Sequence, residues 1–195
     1  MLATTDAVTS TLDAHKLIQE SGWDGDIRPT YRADAVINMD GAWHQQIDAL
    51  GRVTQINIHD YTNFIDALEQ QRRFFKQTGA TTTDHAMLRP FTQRLSSCEA
   101  DAIFQRGLNG HFSAEDAERF TAHMLMETSG LYNTVGFNDD TRAFPSIPAR
   151  HDLARRVDVD WLANLVVRHV IDRSDAEEII EAASYGLAKQ AYNFT

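Results

Sequence analysis

The chain has 195 residues, with 18 Lys and Arg against 28 Asp and Glu, a net charge of −10 and 43% apolar residues. That length buries a core without disulfide or metal staples, and the acidic balance argues against a nucleic-acid surface, which needs a basic patch. A single cysteine, Cys98, rules out an internal disulfide and fits a reducing cytoplasm.

Met1-Leu2-Ala3-Thr4-Thr5-Asp6 has neither the basic start nor the apolar run of a secretory signal. Leu2 to Thr5 reads as the end of a strand. A helix is expected to open at Asp6 or Thr9, with Val8, Leu12, His15 and Ile18 or Gln19 on one face, and to close at Ser21-Gly22. Asp26 to Arg32 is a second strand. Ala42 to Leu50 is a helix stopped by Gly51. Asp60 caps a stronger helix, in which Phe64, Leu68 and Phe75 share a face, and Gly79 ends it. Ala80 to Thr83 is a short third strand leading into Asp84-His85.

Three further helices carry explicit start signals: Ser96 with Glu99, Ser113 with Asp116, and Ser174 with Glu177. Val135 to Asn138 reads as a fourth strand, followed by Asp140-Thr141-Arg142. Phe144 to His151 reads as a loop leading into a helix, and Asp160 to Ile171 as a helix. The most apolar stretch, Trp161 to Ile171, is broken by Asn164, Arg168 and His169, well short of the ~20 apolar residues a membrane span needs. A cytoplasmic protein without membrane or nucleic-acid partners is expected.

Short strands alternating with longer helices argue for an α/β fold with a parallel sheet. Polar residues gather at the strand ends: Asp6, Arg32, Asp84 with His85, and Asp140 with Arg142. In barrel enzymes such positions build the active site, whereas an acid after a strand can equally cap the next helix. Among eight histidines there is no H-x-H and no H-E-x-x-H, so Asp84, His85 and Asp140 are the best ligand candidates. Arg32 and Arg142 stand where a carboxylate could be gripped by two parallel hydrogen bonds; an ion pair with Asp34 or Asp140 is the alternative. No nucleotide-binding loop, dinucleotide fingerprint or serine elbow is present.

These residues bear a family resemblance. Leu2 to Asp6, Ser21-Gly22-Trp23-Asp24-Gly25, Arg28-Pro29-Thr30-Tyr31-Arg32-Ala33-Asp34 and Gly79-Ala80-Thr81-Thr82-Thr83-Asp84-His85 resemble uronate (glucuronate) isomerases of the amidohydrolase-like barrel superfamily. Glu118-Arg119-Phe120, Met124-Leu125, Asp140-Thr141-Arg142-Ala143-Phe144 and Arg150-His151 extend the match in order along the chain. The resemblance implies an α/β fold: a partial (β/α) barrel of the amidohydrolase type with a large helical region. It implies interconversion of D-glucuronate with D-fructuronate, and of D-galacturonate with D-tagaturonate, through an enediol, with a divalent metal, commonly zinc. By that resemblance Asp140 is a catalytic residue and metal ligand, His85 a catalytic residue, and Arg142 and Arg32 hold the sugar acid.

The chain departs from the family in lacking the first-strand H-x-H and several middle strands. A complete barrel takes roughly 250 residues and eight strands, and this chain offers about four. The reading is a single partial barrel domain over 1–195, mostly helical over 38–130, with a seam near 128–135. The sequence joins parts of a longer enzyme, is a shortened relative, or pairs with a second copy that completes the sheet, which makes a homo-oligomer an expected partner state. The alternative function is a non-catalytic, helix-rich structural or oligomerising remnant of the family.

Overall fold

The computed structural model describes residues 1–86, 93–126, 135–137 and 143–193. The chain divides into two compact units, Met1–Thr128 and Ser129–Thr195. The expected seam at 128–135 falls outside the described residues except for Val135.

In the first unit, β1 (Leu2–Ala7) leads to α1 (Asp13–Glu20), β2 (Ile27–Arg32), the short α2 (Asp34–Ile37), α3 (Trp43–Thr54), α4 (Tyr61–Gln77), β3 (Thr83–Asp84), α5 (Ser97–Leu108) and α6 (Ala114–Met126). The sheet order is β1-β2-β3, parallel throughout. Asp6 pairs with Tyr31 and Ala7 with Arg32; Tyr31 then pairs with Thr83 and Arg32 with Asp84. The β2–β3 ladder is confined to those two pairs. The Tyr31 N–H donates toward β3, to the Thr82 carbonyl at 3.3 Å. The previous position aimed that way is Pro29, which has no N–H to give.

Strand parity sorts the side chains. Tyr31 meets Phe75 of α4 edge-on at 5.2 Å, and Thr4 lies 2.9 Å from His15 of α1. Thr4, Asp6, Pro29 and Tyr31 therefore share the face toward the helices. Ala3, Thr5 and Ala7, all exposed, and Arg28, Thr30 and Arg32 occupy the other.

Most of the core lies beneath the helices. Trp43, Phe64, Phe104 and Phe120 are essentially fully buried and stack ring against ring. Each contributes about 2–3 kcal/mol through burial of its side chain. The Trp43 indole N–H donates to the Val36 carbonyl at 2.7 Å, tying α3 to α2. His123 sits in the same core, with Nδ1 accepting the Leu95 N–H at 3.2 Å and Nε2 3.0 Å from the Tyr61 hydroxyl.

Several local expectations match. Asp60 accepts the Asn63 N–H at 2.8 Å and Thr78-Gly79 closes α4, with Gly79 at φ +102. Ser96 and Glu99 form a reciprocal capping box, and Ser113 and Asp116 exchange hydrogen bonds in the same way. Others are corrected. α1 begins at Asp13, not at Asp6 or Thr9: β1 runs on to Ala7, Val8 N–H extends the ladder to Arg32, and Leu12 turns at φ +53. α3 continues through Gly51 to Thr54, ending where Gln55 adopts φ +58.

The elements described in the second unit are all helical. A 3₁₀ turn (Phe144–Ser146) opens α7 (Ile147–Val167), followed by α8 (Arg173–Glu181), a π segment (Ala182–Gly186) and α9 (Leu187–Tyr192). α7 starts thirteen residues before the expected Asp160, because Pro148 falls in its first turn, where a missing N–H and a fixed φ are tolerated. α8 starts from Asp172, whose N–H donates to Asp175 at 3.0 Å; Glu177 instead pairs with Arg173 at 2.7 Å. Val135–Phe137 form no strand. Gly136 sits at φ +80, and a Cβ there would lie 2.0 Å from the Ala183 carbonyl oxygen. No helix among the described residues is long and apolar enough to cross a membrane.

Candidate functional site

The parallel register brings the C-terminal ends of β2 and β3 side by side. Arg32 ends β2, and its in-register neighbour Asp84 ends β3. Side chains directly paired across parallel strands share a face, so the two meet: Arg32 Nη1 donates to Asp84 Oδ2 at 3.0 Å. The chain turns after Arg32 into α2, whose first residue, Asp34, comes back beside the guanidinium. Arg32 Nε donates to Asp34 Oδ2 at 2.7 Å.

His85 follows directly after β3 and completes the group. Its Nδ1 lies 3.4 Å from Asp34 Oδ1, and the Ala86 N–H donates to Asp34 Oδ2 at 2.9 Å. Asp34 thus receives three groups from two strand ends. Burial pushes its carboxyl up, but hydrogen bonds from His85, Ala86 and Arg32 outweigh this and hold it below the ordinary carboxylate range. The side chains of Asp34 and His85 are 14% and 13% exposed, against 35% for Arg32, so the carboxylate and imidazole form the floor of the cluster and the guanidinium its open side. The buried Nε2 of His85 has no hydrogen-bond partner among the described residues.

Of the four site residues expected from sequence, Arg32 and His85 are brought together through Asp34. Asp140 and Arg142 lie outside the described residues. Asp6, grouped with the strand ends in the sequence, does not join the cluster. It accepts the Thr4 hydroxyl at 2.6 Å and lies 3.8 Å from His15 Nε2, on the helix-facing side of the sheet. Asp34 is the residue that sequence reasoning underrated, giving it only an ion pair with Arg32. The available signal was its place two residues after a strand-end arginine; its bond to His85, 51 positions away, has no local signature.

Among the described residues, no group of three or more His, Cys, Asp or Glu side chains could hold a metal ion. Asp34 and Asp84 are both engaged with Arg32, which leaves His85 Nε2 as a lone donor. The described residues therefore do not fit a divalent metal on their own.

A sequence profile described as UxaC, glucuronate isomerase, matches residues 1–139. A uronate isomerase from Nostoc punctiforme is 30% identical, over 98% of this chain and 64% of its own length. One from Rhizobium meliloti is 29% identical, over 98% of this chain and 65% of its own length. The crystal structure of glucuronate isomerase from Caulobacter crescentus superposes with a TM-score of 0.69 and 28% identity, covering 99% of this chain and 64% of that one. The uronate isomerase structure from Thermotoga maritima, at 16% identity and a TM-score of 0.67, shares the fold. This chain thus spans about two thirds of the length of the relatives it matches. The Nostoc alignment runs over 304 residues, whereas this chain has 195, so at least 109 positions of that span face no residue here.

Proposed function

The chain belongs to the glucuronate isomerase family, and on that premise we propose that it acts on an open-chain hexuronate as an aldose–ketose isomerase. The substrates are D-glucuronate with D-fructuronate, and D-galacturonate with D-tagaturonate. The observation that carries this reading is the Arg32–Asp34–His85 cluster at the C-terminal ends of adjacent parallel strands, where barrel enzymes place their chemistry.

In this exchange a base takes the C2 proton, an enediol forms, and the proton returns to C1 while the O2 hydroxyl proton passes to O1. Charge develops on the carbonyl oxygen and must be met by fixed donors, each worth roughly 3–4 kcal/mol. His85 is suited to carry a proton because one ring nitrogen is bound by a carboxylate and the other is buried without a partner among the described residues. Arg32 orients the substrate from the open side. It is flanked by two carboxylates, Asp34 and Asp84, so the cluster as a whole does not carry the positive charge a sugar acid needs. Arg142 is assigned that second cation, and Asp140 the role of base or metal ligand. Zinc, the divalent metal of this proposal, would be held through Asp140.

A second reading is favoured by the missing positions: a non-catalytic remnant that serves as a structural or oligomerising module. Among the described residues β1 has a ladder partner on one side only, and a homo-oligomer that completes the sheet is compatible with both readings. The exposed, unpaired Cys98 supports a cytoplasmic setting.

The deciding experiment incubates the purified protein with D-glucuronate or D-galacturonate in D₂O, with and without added zinc. Ketose formation with deuterium exchange is the expected result. A protein that forms no ketose and exchanges no C2 hydrogen under any of these conditions is the remnant.

A further inference from the structure

Asp34 opens α2, yet its carboxylate does not cap that helix. A capping carboxylate accepts N–H groups of its own first turn. Both oxygens of Asp34 instead reach out of the helix: Oδ2 takes Arg32 Nε and the Ala86 N–H, and Oδ1 faces His85 Nδ1. Two donors converge on one oxygen, so the other is left to orient the imidazole.

We infer that Asp34 is a positioning residue, which holds His85 in the form protonated at Nδ1 and so presents the Nε2 lone pair for proton transfer, while the same carboxylate fixes the Arg32 fork. Its functional meaning rests on the isomerase reading. The proton assignment follows from the partners: an ionised carboxylate accepts only, so the nitrogen facing it must donate. The proton on one imidazole nitrogen is set by the hydrogen bond that nitrogen makes. With Nδ1 committed, Nε2 carries the lone pair, and this is the buried nitrogen with no partner among the described residues. Arg32 and His85 come from different strand ends, and a single carboxylate touches both.

The test reads tautomers without substrate. Long-range ¹H–¹⁵N spectra are recorded on the ¹⁵N-labelled full chain at mildly alkaline pH, and the His85 ring is assigned by its loss in His85→Gln. His123 serves as an internal control: its Nδ1 accepts the Leu95 N–H, so a folded first unit shows it in the opposite, Nε2–H form. In the wild type, His85 should show a protonated Nδ1 and a deshielded, unprotonated Nε2. In Asp34→Asn, the two donors at the Oδ2 position draw the amide oxygen, its NH₂ turns to His85, and the two ring resonances should exchange character. Where that variant loses the His123 control signal, Asp34→Ala is read for loss of the Nδ1–H pattern.

A wild-type His85 in the Nε2–H form overturns the inference. So does a folded Asp34 variant whose His85 spectrum is unchanged. A protein inert toward uronates that shows the expected exchange of resonances removes the isomerase reading and upholds the hold of Asp34 on His85.

Discussion

Arg32 and Asp84 are in-register neighbours on parallel strands, and their side chains meet at 3.0 Å across the ends of β2 and β3. The contact closes the short ladder at the point where Pro29 has already ended it on the other side. It also means that the guanidinium is pinned by Asp84 and Asp34 before any ligand arrives. A pinned fork loses little entropy on binding, which suits an orienting role.

Arg32→Lys keeps the charge and loses the fork. The loss of one charge-assisted hydrogen bond is worth about 1.5–3 kcal/mol, so substrate binding should weaken by about 10- to 150-fold. Calorimetric titration with D-glucuronate reads this. An affinity within twofold of wild type would show that Arg32 does not touch the sugar acid.

Acid stability should depend on Asp116. The Arg106 hydrogen bonds, assisted by Ser113, hold its carboxyl far below the ordinary value of 3.8 against the opposing effect of burial. A carboxyl lowered on folding adds stability that is fully present above its unfolded value and is lost as pH falls through its folded value. Urea unfolding of Asp116→Asn should therefore show a smaller loss of stability than wild type as pH drops below about 4. Parallel curves for the two proteins would contradict the assignment.

Gly107 is required by packing. A Cβ there would lie 2.6 Å from the Trp43 ring, itself buried and hydrogen-bonded to Val36. Gly107→Ala gains up to about 1 kcal/mol of helix propensity but overpacks the core, at about 1–3 kcal/mol. A lower Tm with altered Trp fluorescence is the expected outcome; an unchanged or raised Tm would mean that α5 shifts away without penalty.

Phe104→Ala opens the aromatic cluster shared with Trp43, Phe64 and Phe120. A loss of about 3–5 kcal/mol is expected, measured by chemical denaturation. By contrast, Ser96→Ala removes one side of an exposed capping box and should cost about 1 kcal/mol. Equal losses in the two variants would place the core elsewhere.

The alternation of strand and helix in the first unit, the Asp60 cap, the Ser96–Glu99 box and the buried faces of Phe64 and Phe104 were legible in the sequence alone. The caps and buried faces depend on residues three or four positions apart, where geometry is set by the helix itself. The same rule failed where a competing local signal existed. Ser174 with Glu177 read as the cap, but α8 opens from Asp172, whose N–H donates to Asp175, while Glu177 pairs with Arg173. Gly51 reads as a stop, yet α3 passes through it, because Ile47, Leu50 and Thr54 continue its buried side.

The site divides along the same line. The sequence by itself determined which residues could do acid–base and carboxylate chemistry, because side-chain type is a local property: Arg32, Asp84 and His85 were already visible as strand-end groups. Only the tertiary structure decided that Asp6 turns to α1 and away from Arg32, and that Asp34 joins Arg32 to His85. Which face of a sheet a side chain occupies depends on pairing register. Groups 51 and 52 positions apart are joined by the folding of the helices between them, which no short-range pattern encodes.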